Sequence, residues 1–396
     1  MRRKKIVFFL LLTIAVPLFF SSFHTVYLPV ESIQIRLFAH LKVSSLQLIV
    51  NRGEYRALAD GNIVDKPKLN DVFQFSQHGD SLEIKKNNQP FGVFKYIKFV
   101  SESESEMKIK LLEPDRRIRI YEDNFSLNIS ESYIRVINEV GLDNYISGVT
   151  EAESGSHAGI EFYKVQSILA RTFALAHINK HITEGFNLCD QVHCQAYYGK
   201  PRDLSIQRAV EVTRNKVVVD DNLNLIIAAF HSNSGGQTAN SEDVWGTRTP
   251  YLRSIEDTFS VKMPNAKWQR KMLTDDWLTY LKIKHNFPVD REEGKEAATH
   301  FSQDSRKMFL ECNNSRVPLK FIRQDLQLKS TFFSIQPAGK DSVLFVGRGY
   351  GHGLGMCQEG AMCMVKCGYS YTDVLNFYYQ NIQLIDLHKL NFFKDE

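Results

Sequence analysis

Acid, hydroxyl, thiol and imidazole groups gather in a few short stretches of this chain. The densest set is Glu151, Glu153, His157, Cys189, His193, Cys194, His231, Ser232, Ser234 and Gly351-His352-Gly353. Such types are the raw material of proton transfer, ligand binding and metal coordination. Cys189-Asp-Gln-Val-His193-Cys194 places two thiols and an imidazole in one loop, three of the four positions of a tetrahedral zinc site. His181 and water are candidates for the fourth. The same thiols could instead form a disulfide in an oxidising compartment, or simply pack. Phe230-His231-Ser232-Asn233-Ser234-Gly235-Gly236-Gln237-Thr238 reads as a strand end carrying a histidine and small hydroxyls, followed by glycines that let backbone amides approach a ligand.

These residues need elements to hold them. Val26 to Val136 shows short alternating segments, among them Ser32–Leu37 and Leu46–Val50, broken by Asn, Asp and Gly turns, so this region is β-rich. The Ser/Glu run from Ser101 to Glu106 reads as a solvated loop. Leu142-Asp143-Asn144-Tyr145-Ile146 leads towards Glu153, and a helix begins near Ile160, where Phe162, Val165, Leu169, Phe173 and Ala176 recur every three or four residues and predict one buried face. A second helix is expected near Leu204 to Thr213, with β-prone Lys216 to Val219 and Leu225 to Phe230 after it. Residues 261–340 predict a helix at Asp275 to Lys284 and a charged stretch at Asp290 to Lys295. Gly347 to Gly368 is Gly-rich, and Ser370 to Tyr379 is helix-like. No fixed period appears, which excludes a solenoid.

Arg2, Arg3, Lys4 and Lys5 precede the uncharged apolar run Ile6 to Phe20, so residues 1–23 read as a targeting element. It is expected to stay as a membrane anchor, with cleavage and secretion as the alternative; either way the rest of the chain is extracytoplasmic. The net charge of the 396 residues is +4, and part of it belongs to that flank. This argues against a nucleic-acid partner, which would demand a concentrated basic face. Six cysteines fall into two local clusters and a singleton, unlike a disulfide framework.

Several segments, in this order, resemble the SpoIID/LytB family. They are Leu142-Asp143-Asn144-Tyr145-Ile146-Ser147-Gly148-Val149 running to Glu153, Ala170-Arg171-Thr172-Phe173-Ala174, Cys189 to Tyr197, Phe230 to Gly236, Ser241-Glu242-Asp243-Val244-Trp245-Gly246, Pro250-Tyr251-Leu252, and Gly347 to Met356. The resemblance covers about 141–256 and 345–382. It implies an α+β fold: a β-rich region over 24–136, a SpoIID-type catalytic core over 137–260 and 345–396, and an inserted subdomain over 261–344. It further implies a peptidoglycan lytic transglycosylase in which Glu153, and not Glu151, is the acid/base. Such an enzyme needs one essential carboxyl group, since the muramic C6 hydroxyl closes onto its own C1, whereas a hydrolase uses two. By the same resemblance, His231, Ser232, Ser234, Gly235, Arg171, His352 and Gln358 bind the glycan. Partners would be glycan strands, expected to be stripped of peptide, and, in the alternative reading of a non-catalytic enhancer, an N-acetylmuramoyl-L-alanine amidase. Arg171 also has the reading of a structural partner for Asp143 or Glu242, Glu151 that of a neighbour modulating Glu153, and Trp245 and Tyr251 those of sugar platforms or core. The chain departs from the family pattern at Ser154 (usually Met), Cys357 (usually Ser) and Glu359 (commonly Trp).

Overall fold

The computed structural model describes residues 30–156 and 158–387, so the targeting segment and His157 lie outside the described residues. Among the described residues no helix is long and apolar enough to cross a membrane. The architecture is α+β. Alternation in the first third places every second side chain inward: in Ser45–Arg52 the residues Leu46, Leu48 and Val50 are fully buried. Two antiparallel sheets result. A seven-stranded sheet runs in the order Leu188–Cys189, Ser32–Leu37, Tyr133–Gly141, Asn124–Ser130, Tyr96–Ser101, Tyr55–Ala59 and Asn62–Asp65, with only the two-residue edge strand Leu188–Cys189 lying parallel to its neighbour. The six-stranded sheet runs Arg119–Glu122, Glu106–Glu113, Ser45–Arg52, Val72–His78, Ser81–Lys86 and Gln89–Phe94. Their inner faces share one core, in which Phe73 of one sheet meets Phe99 of the other edge to face at 5.1 Å. The Ser101–Glu106 run is not a solvated loop throughout: Ser105 and Glu106 are buried, and Glu106 pairs with Lys200 at 2.7 Å.

Strand Tyr133–Gly141 runs directly into helix α1 (Leu142–Ser154), a helix that the sequence pattern does not announce. Helix α2 (Ile160–Ala176) is buried nearly all round and not on one face. Its Phe162, Val165, Ile168 and Leu169 face a second core, while Ala170, Ala174 and Leu175 join the core of the sheets. Phe173 is therefore only half-buried and Ala176 is exposed. Helix α3 (Leu204–Val212) and the short α4 (Ser241–Trp245) follow, α3 capped by the Asp203 side chain on the Ser205 N–H. Leu225 to Phe230 does not form a strand; it makes one bridge to Val219, and the strand is Phe230–His231 alone.

Residues 267–348 carry a third core of their own. Strands Lys267–Leu273, Ser342–Arg348 and Phe333–Pro337 pair antiparallel and are covered by α5 (Thr274–His285), α6 (Glu292–Thr299) and α7 (Leu319–Asp325). Trp277 anchors this core, fully buried, with its indole N–H on the Ala298 carbonyl at 2.9 Å. Strand Ser342–Arg348 then delivers the chain to Gly349–Gly353, and α8 (Gln358–Lys366) and α9 (Tyr371–Tyr378) pack on the second core. The two glycine-rich motifs are zipped together, since Asn233 and Tyr350 exchange backbone hydrogen bonds of 3.0 and 2.8 Å and Phe230–His231 pairs in parallel with Met356–Cys357.

Candidate active site

Glu153 lies in the last turn of α1, half-buried. Its Oε1 accepts one hydrogen bond, from the Ala196 N–H at 3.0 Å, and Oε2 has no partner among the described residues. Burial raises the carboxyl pKa above its ordinary value and the Ala196 N–H opposes this; the net direction is upward. Glu151 takes no part in that balance. Its Oε1 accepts from the backbone N–H groups of Arg202 and Asp203, at 2.8 and 3.1 Å, and so shapes the turn into α3.

The Ala196 amide is supplied by a loop pressed onto α1. At Gly148 a Cβ would lie 2.3 Å from the Gly199 carbonyl oxygen and 2.5 Å from the Tyr197 ring, so only glycine admits this approach. Tyr197 is fully buried against Tyr145, ring centroids 5.0 Å apart, and donates to Asn138 at 3.2 Å. Tyr145 donates to Gln195, and Gln195 to the Ala170 carbonyl. The far end of the loop is held by Lys200, paired with Glu106 at 2.7 Å and Glu122 at 3.1 Å.

The near end begins at the cysteine pair. Ligand atoms of His181, Cys189, His193 and Cys194 all lie within 4.8 Å of one another. His193 Nε2 is 3.4 Å from the Cys189 sulfur, and His181 Nε2 is 3.4 Å from the Cys194 sulfur. Both thiols are free. The Cys189 thiol donates to Cys194, which is pulled towards thiolate, with the Cys189 backbone N–H and His181 acting in the same direction, while Cys189 is pushed the other way. On its other side His181 Nδ1 meets Glu184 at 2.5 Å, which directs Nε2 at the sulfurs in the manner of carboxylate–histidine pairs behind zinc ligands. A closed set of two thiols and two imidazoles suits tetrahedral zinc in a structural role. His181, only an alternative to water in the sequence, is the fourth member.

On the opposite side of Glu153 stands Gln358 at the start of α8, half-buried, donating to the Glu153 backbone carbonyl at 3.0 Å. Cys357 before it caps α8, its sulfur accepting from the Ser234 and Gly360 N–H groups at 3.2 Å each, the hydrogen-bonding part a serine would play. His231 is buried beside this junction. Nδ1 must donate to the Leu354 carbonyl, at 3.0 Å, leaving Nε2 as a buried acceptor without a partner among the described residues. Burial, then the charges of His352 and Arg306, hold His231 well below the usual imidazole range, so it is neutral. His352, its ring 5.6 Å from that of His231, is likewise lowered, to about 4, by burial and then by Arg323, with bonds to the Leu354 N–H and the Phe230 carbonyl. Neither ring is a proton donor at neutral pH. Ser232 is half-exposed and bonded to Asn265 at 3.4 Å.

Three of the expected glycan-binding residues are placed elsewhere. Arg171 is 1% exposed and bound to Asp143 at 3.1 Å and to the Thr213 carbonyl at 2.8 Å, so it ties α2 to α1 and α3. Glu242 pairs with Arg253. Ser234 is fully buried and donates to Asp257 at 2.7 Å. Gly235 presses its backbone against Arg348, where a Cβ would meet the Arg348 carbonyl carbon at 2.6 Å. Tyr251 is buried with its hydroxyl on the Ile227 N–H, whereas Trp245 is 46% exposed with its ring 6.0 Å from His352. Glu359 receives the Asn233 side chain at 2.6 Å and the Asn265 side chain at 2.7 Å, tying down the segment that leads into the insertion. The Ala196 amide and the Asn265 contact carry no signal in the sequence, because a backbone donor can be any residue and a loop contact has no period.

Residues 130–219 match the SpoIID family model, described as stage II sporulation protein. The chain is 26% identical over 264 residues to stage II sporulation protein D of Bacillus subtilis, an alignment that covers 63% of this chain and 75% of that protein. It is 28% identical over 290 residues to an uncharacterized protein of Brachyspira hyodysenteriae, 68% of this chain and 76% of the other. It is 27% identical over 293 residues to the amidase enhancer of Bacillus subtilis, covering 60% of this chain and 40% of the enhancer. The matched span contains α1 with Glu153, the loop that supplies the Ala196 amide and the cysteine–histidine cluster, so over these residues the chain carries a domain similar to the SpoIID family, as it is to stage II sporulation protein D and the amidase enhancer.

Proposed function

We propose that the protein is a peptidoglycan lytic transglycosylase acting on glycan strands freed of stem peptides. The observation that carries this reading is Glu153: a half-buried carboxyl group with a raised pKa, one oxygen held by a single amide and the other without a partner among the described residues. Protonated Glu153 donates its proton to the glycosidic oxygen as the C1–O bond breaks through an oxocarbenium-like state. The resulting carboxylate takes the proton of the muramic C6 hydroxyl, whose oxygen bonds to C1, and a 1,6-anhydro end is formed with Glu153 again protonated. The Ala196 N–H holds the carboxylate between the two transfers. Gln358, Ser232 and the neutral His231 and His352 give the groove its shape and its polar lining.

His181, Cys189, His193 and Cys194 fit zinc, which would supply positive charge to fix two thiolates and cross-link the loop base. These residues then hold the loop two positions ahead of the Ala196 amide. The charged flank at Arg2–Lys5 and the apolar run after it support export, with the folded part outside the cytoplasmic membrane and the run as its anchor.

A second reading, an amidase-enhancing glycan-binding module, is favoured by Glu359. It stands where an aromatic platform would be and is engaged with Asn233 and Asn265. The deciding experiment incubates the protein with peptide-stripped strands and with intact peptidoglycan beside a Glu153→Gln control and identifies products by mass spectrometry. Anhydro-ended fragments absent from the control support the enzyme; binding without fragments on either substrate supports the module.

A further inference from the structure

The cleft between the glycine-rich motifs and the insertion is strongly cationic. Trp245 and His352 line one side and Arg306, Lys307, Lys320 and Arg323 the other, around a cavity of about 200 Å³. Asp243 also lines it, its carboxylate engaged by the Asn240 side chain at 3.3 Å. Arg306 is half-buried and spends its guanidinium on neutral oxygens, the Gln237 and Ser234 carbonyls at 2.7 Å each. Arg323, on α7, has a buried Nε with no hydrogen-bond partner among the described residues. Among those residues no carboxylate acts on either arginine. Charges partly withdrawn from water without a counter-ion are unfavourable, and an arriving anion relieves them. The neighbours register this field, since Arg323 and Arg306 both depress the basicity of His352.

We propose that this cleft is an anion subsite that holds the carboxylate carried by a muramoyl residue of the strand, with Arg323 as its main ligand and Trp245 against the sugar. The inference rests on the glycan reading of the previous section. N-acetylglucosamine is uncharged; the muramoyl residue bears a lactyl ether whose carboxyl group is free once the peptide is gone, or a stem peptide with carboxylates of its own. The subsite therefore distinguishes the two sugars of the repeat and sets the register of the strand over Glu153. It also gives the insertion a part in substrate selection.

Trp245 is the reporter. It is the exposed one of the three tryptophans, since Trp268 and Trp277 are buried in the insertion core. The full chain carrying Glu153→Gln is titrated with peptide-stripped strands and with chitin oligosaccharides of equal length while tryptophan emission is followed. Stripped strands are expected to bind roughly tenfold or more tightly than chitin, the worth of a charge-assisted hydrogen bond. Arg323→Gln is expected to abolish that preference and Arg323→Lys to keep part of it, both with a melting midpoint no lower than the parent's. A preference that survives Arg323→Gln, or no preference in the parent, overturns the subsite. Peptide-bearing strands identify the source: an Arg323-dependent gain with them assigns the stem carboxylates, and its absence assigns the lactyl group. Failure of the two readings is separable. Strand cutting by the Glu153 protein without discrimination sinks the subsite alone, whereas Arg323-dependent binding without cutting sinks the enzyme alone.

Discussion

Replacing Gly148 by alanine tests how the acid is held. The new methyl carbon would lie 2.3 Å from the Gly199 oxygen and 2.5 Å from the Tyr197 ring, against an ordinary contact of 3.4–4 Å, so one side must yield by about an ångström. The loop is poorly placed to yield, because Tyr197 is fully buried and Lys200 is held by Glu106 and Glu122. Overpacking of this kind costs about 1–3 kcal/mol, offset by about 1 kcal/mol because alanine is the better helix former, for a net loss of about 0–2 kcal/mol. The larger effect falls on chemistry. A displacement of that size breaks the 3.0 Å bond from the Ala196 N–H to Glu153, which removes the influence that opposes burial and drives the carboxyl pKa further up. Strand cutting is expected to fall roughly 100-fold, as for a misplacement of about an ångström, with its alkaline limb unchanged or shifted upward, while Gly61→Ala serves as control. Gly61 has a positive φ of 88° but nothing within 4 Å of its would-be Cβ, so it should lose about 1 kcal/mol of stability and no activity. Denaturant melts and product formation across pH measure both. Gly148→Ala with parental stability and cutting would refute the argument that the loop is clamped.

Glu153→Gln should make the protein more stable at neutral pH. A carboxyl whose folded pKa is raised favours the folded state below its unfolded pKa and loses that contribution as pH rises through the folded value, so the benefit of glutamine appears at pH 7 and vanishes in acid; denaturant midpoints at pH 7 and pH 4 check it, and a less stable variant at pH 7 contradicts the burial argument. Asp143→Ala leaves Arg171 buried without its partner and also frees Arg214. A loss of about 2–3 kcal/mol is expected in urea melts, below the usual 3–5 for a buried pair because the carboxylate is 30% exposed, and a loss under 1 kcal/mol would show that the carbonyls of Thr213 and Lys216 suffice. Chelation should release about one zinc per chain and lower both melting midpoint and cutting, with Cys194→Ser doing the same. Absence of bound metal together with a Cys189–Cys194 disulfide in mass spectra would replace the zinc reading.

Periodic patterns and short motifs are legible in the chain itself, because they are local. Alternation in Ser32–Leu37 and Ser45–Arg52, the helical spacing from Ile160, and the paired thiols of Cys189 and Cys194 follow from neighbours a few residues apart. Glu153 is distinguished from Glu151 by its place in a family pattern, and the structure adds a physical difference: one carboxylate is committed to two backbone amides and the other to one.

What a local pattern cannot convey is which residues become neighbours across long separations. Arg171 and Ser234 are polar and lie in matching motifs, yet their partners Asp143 and Asp257 turn them inward, and nothing within a few residues signals those pairings. Gln358 reaches the Glu153 carbonyl across 205 positions, and the Ala196 amide reaches its carboxyl group across 43. The sequence by itself indicated the β-rich region, the helices α2, α3, α5 and α9, the candidate acid Glu153, and Cys189, His193 and Cys194 of the cysteine–histidine cluster, through periodicity and motif. Only the tertiary structure decided that a loop clamped through Gly148 presents an amide to the acid, and that insertion arginines crowd a cleft beside Trp245, because desolvation and charge convergence are properties of packed surroundings and not of any segment alone.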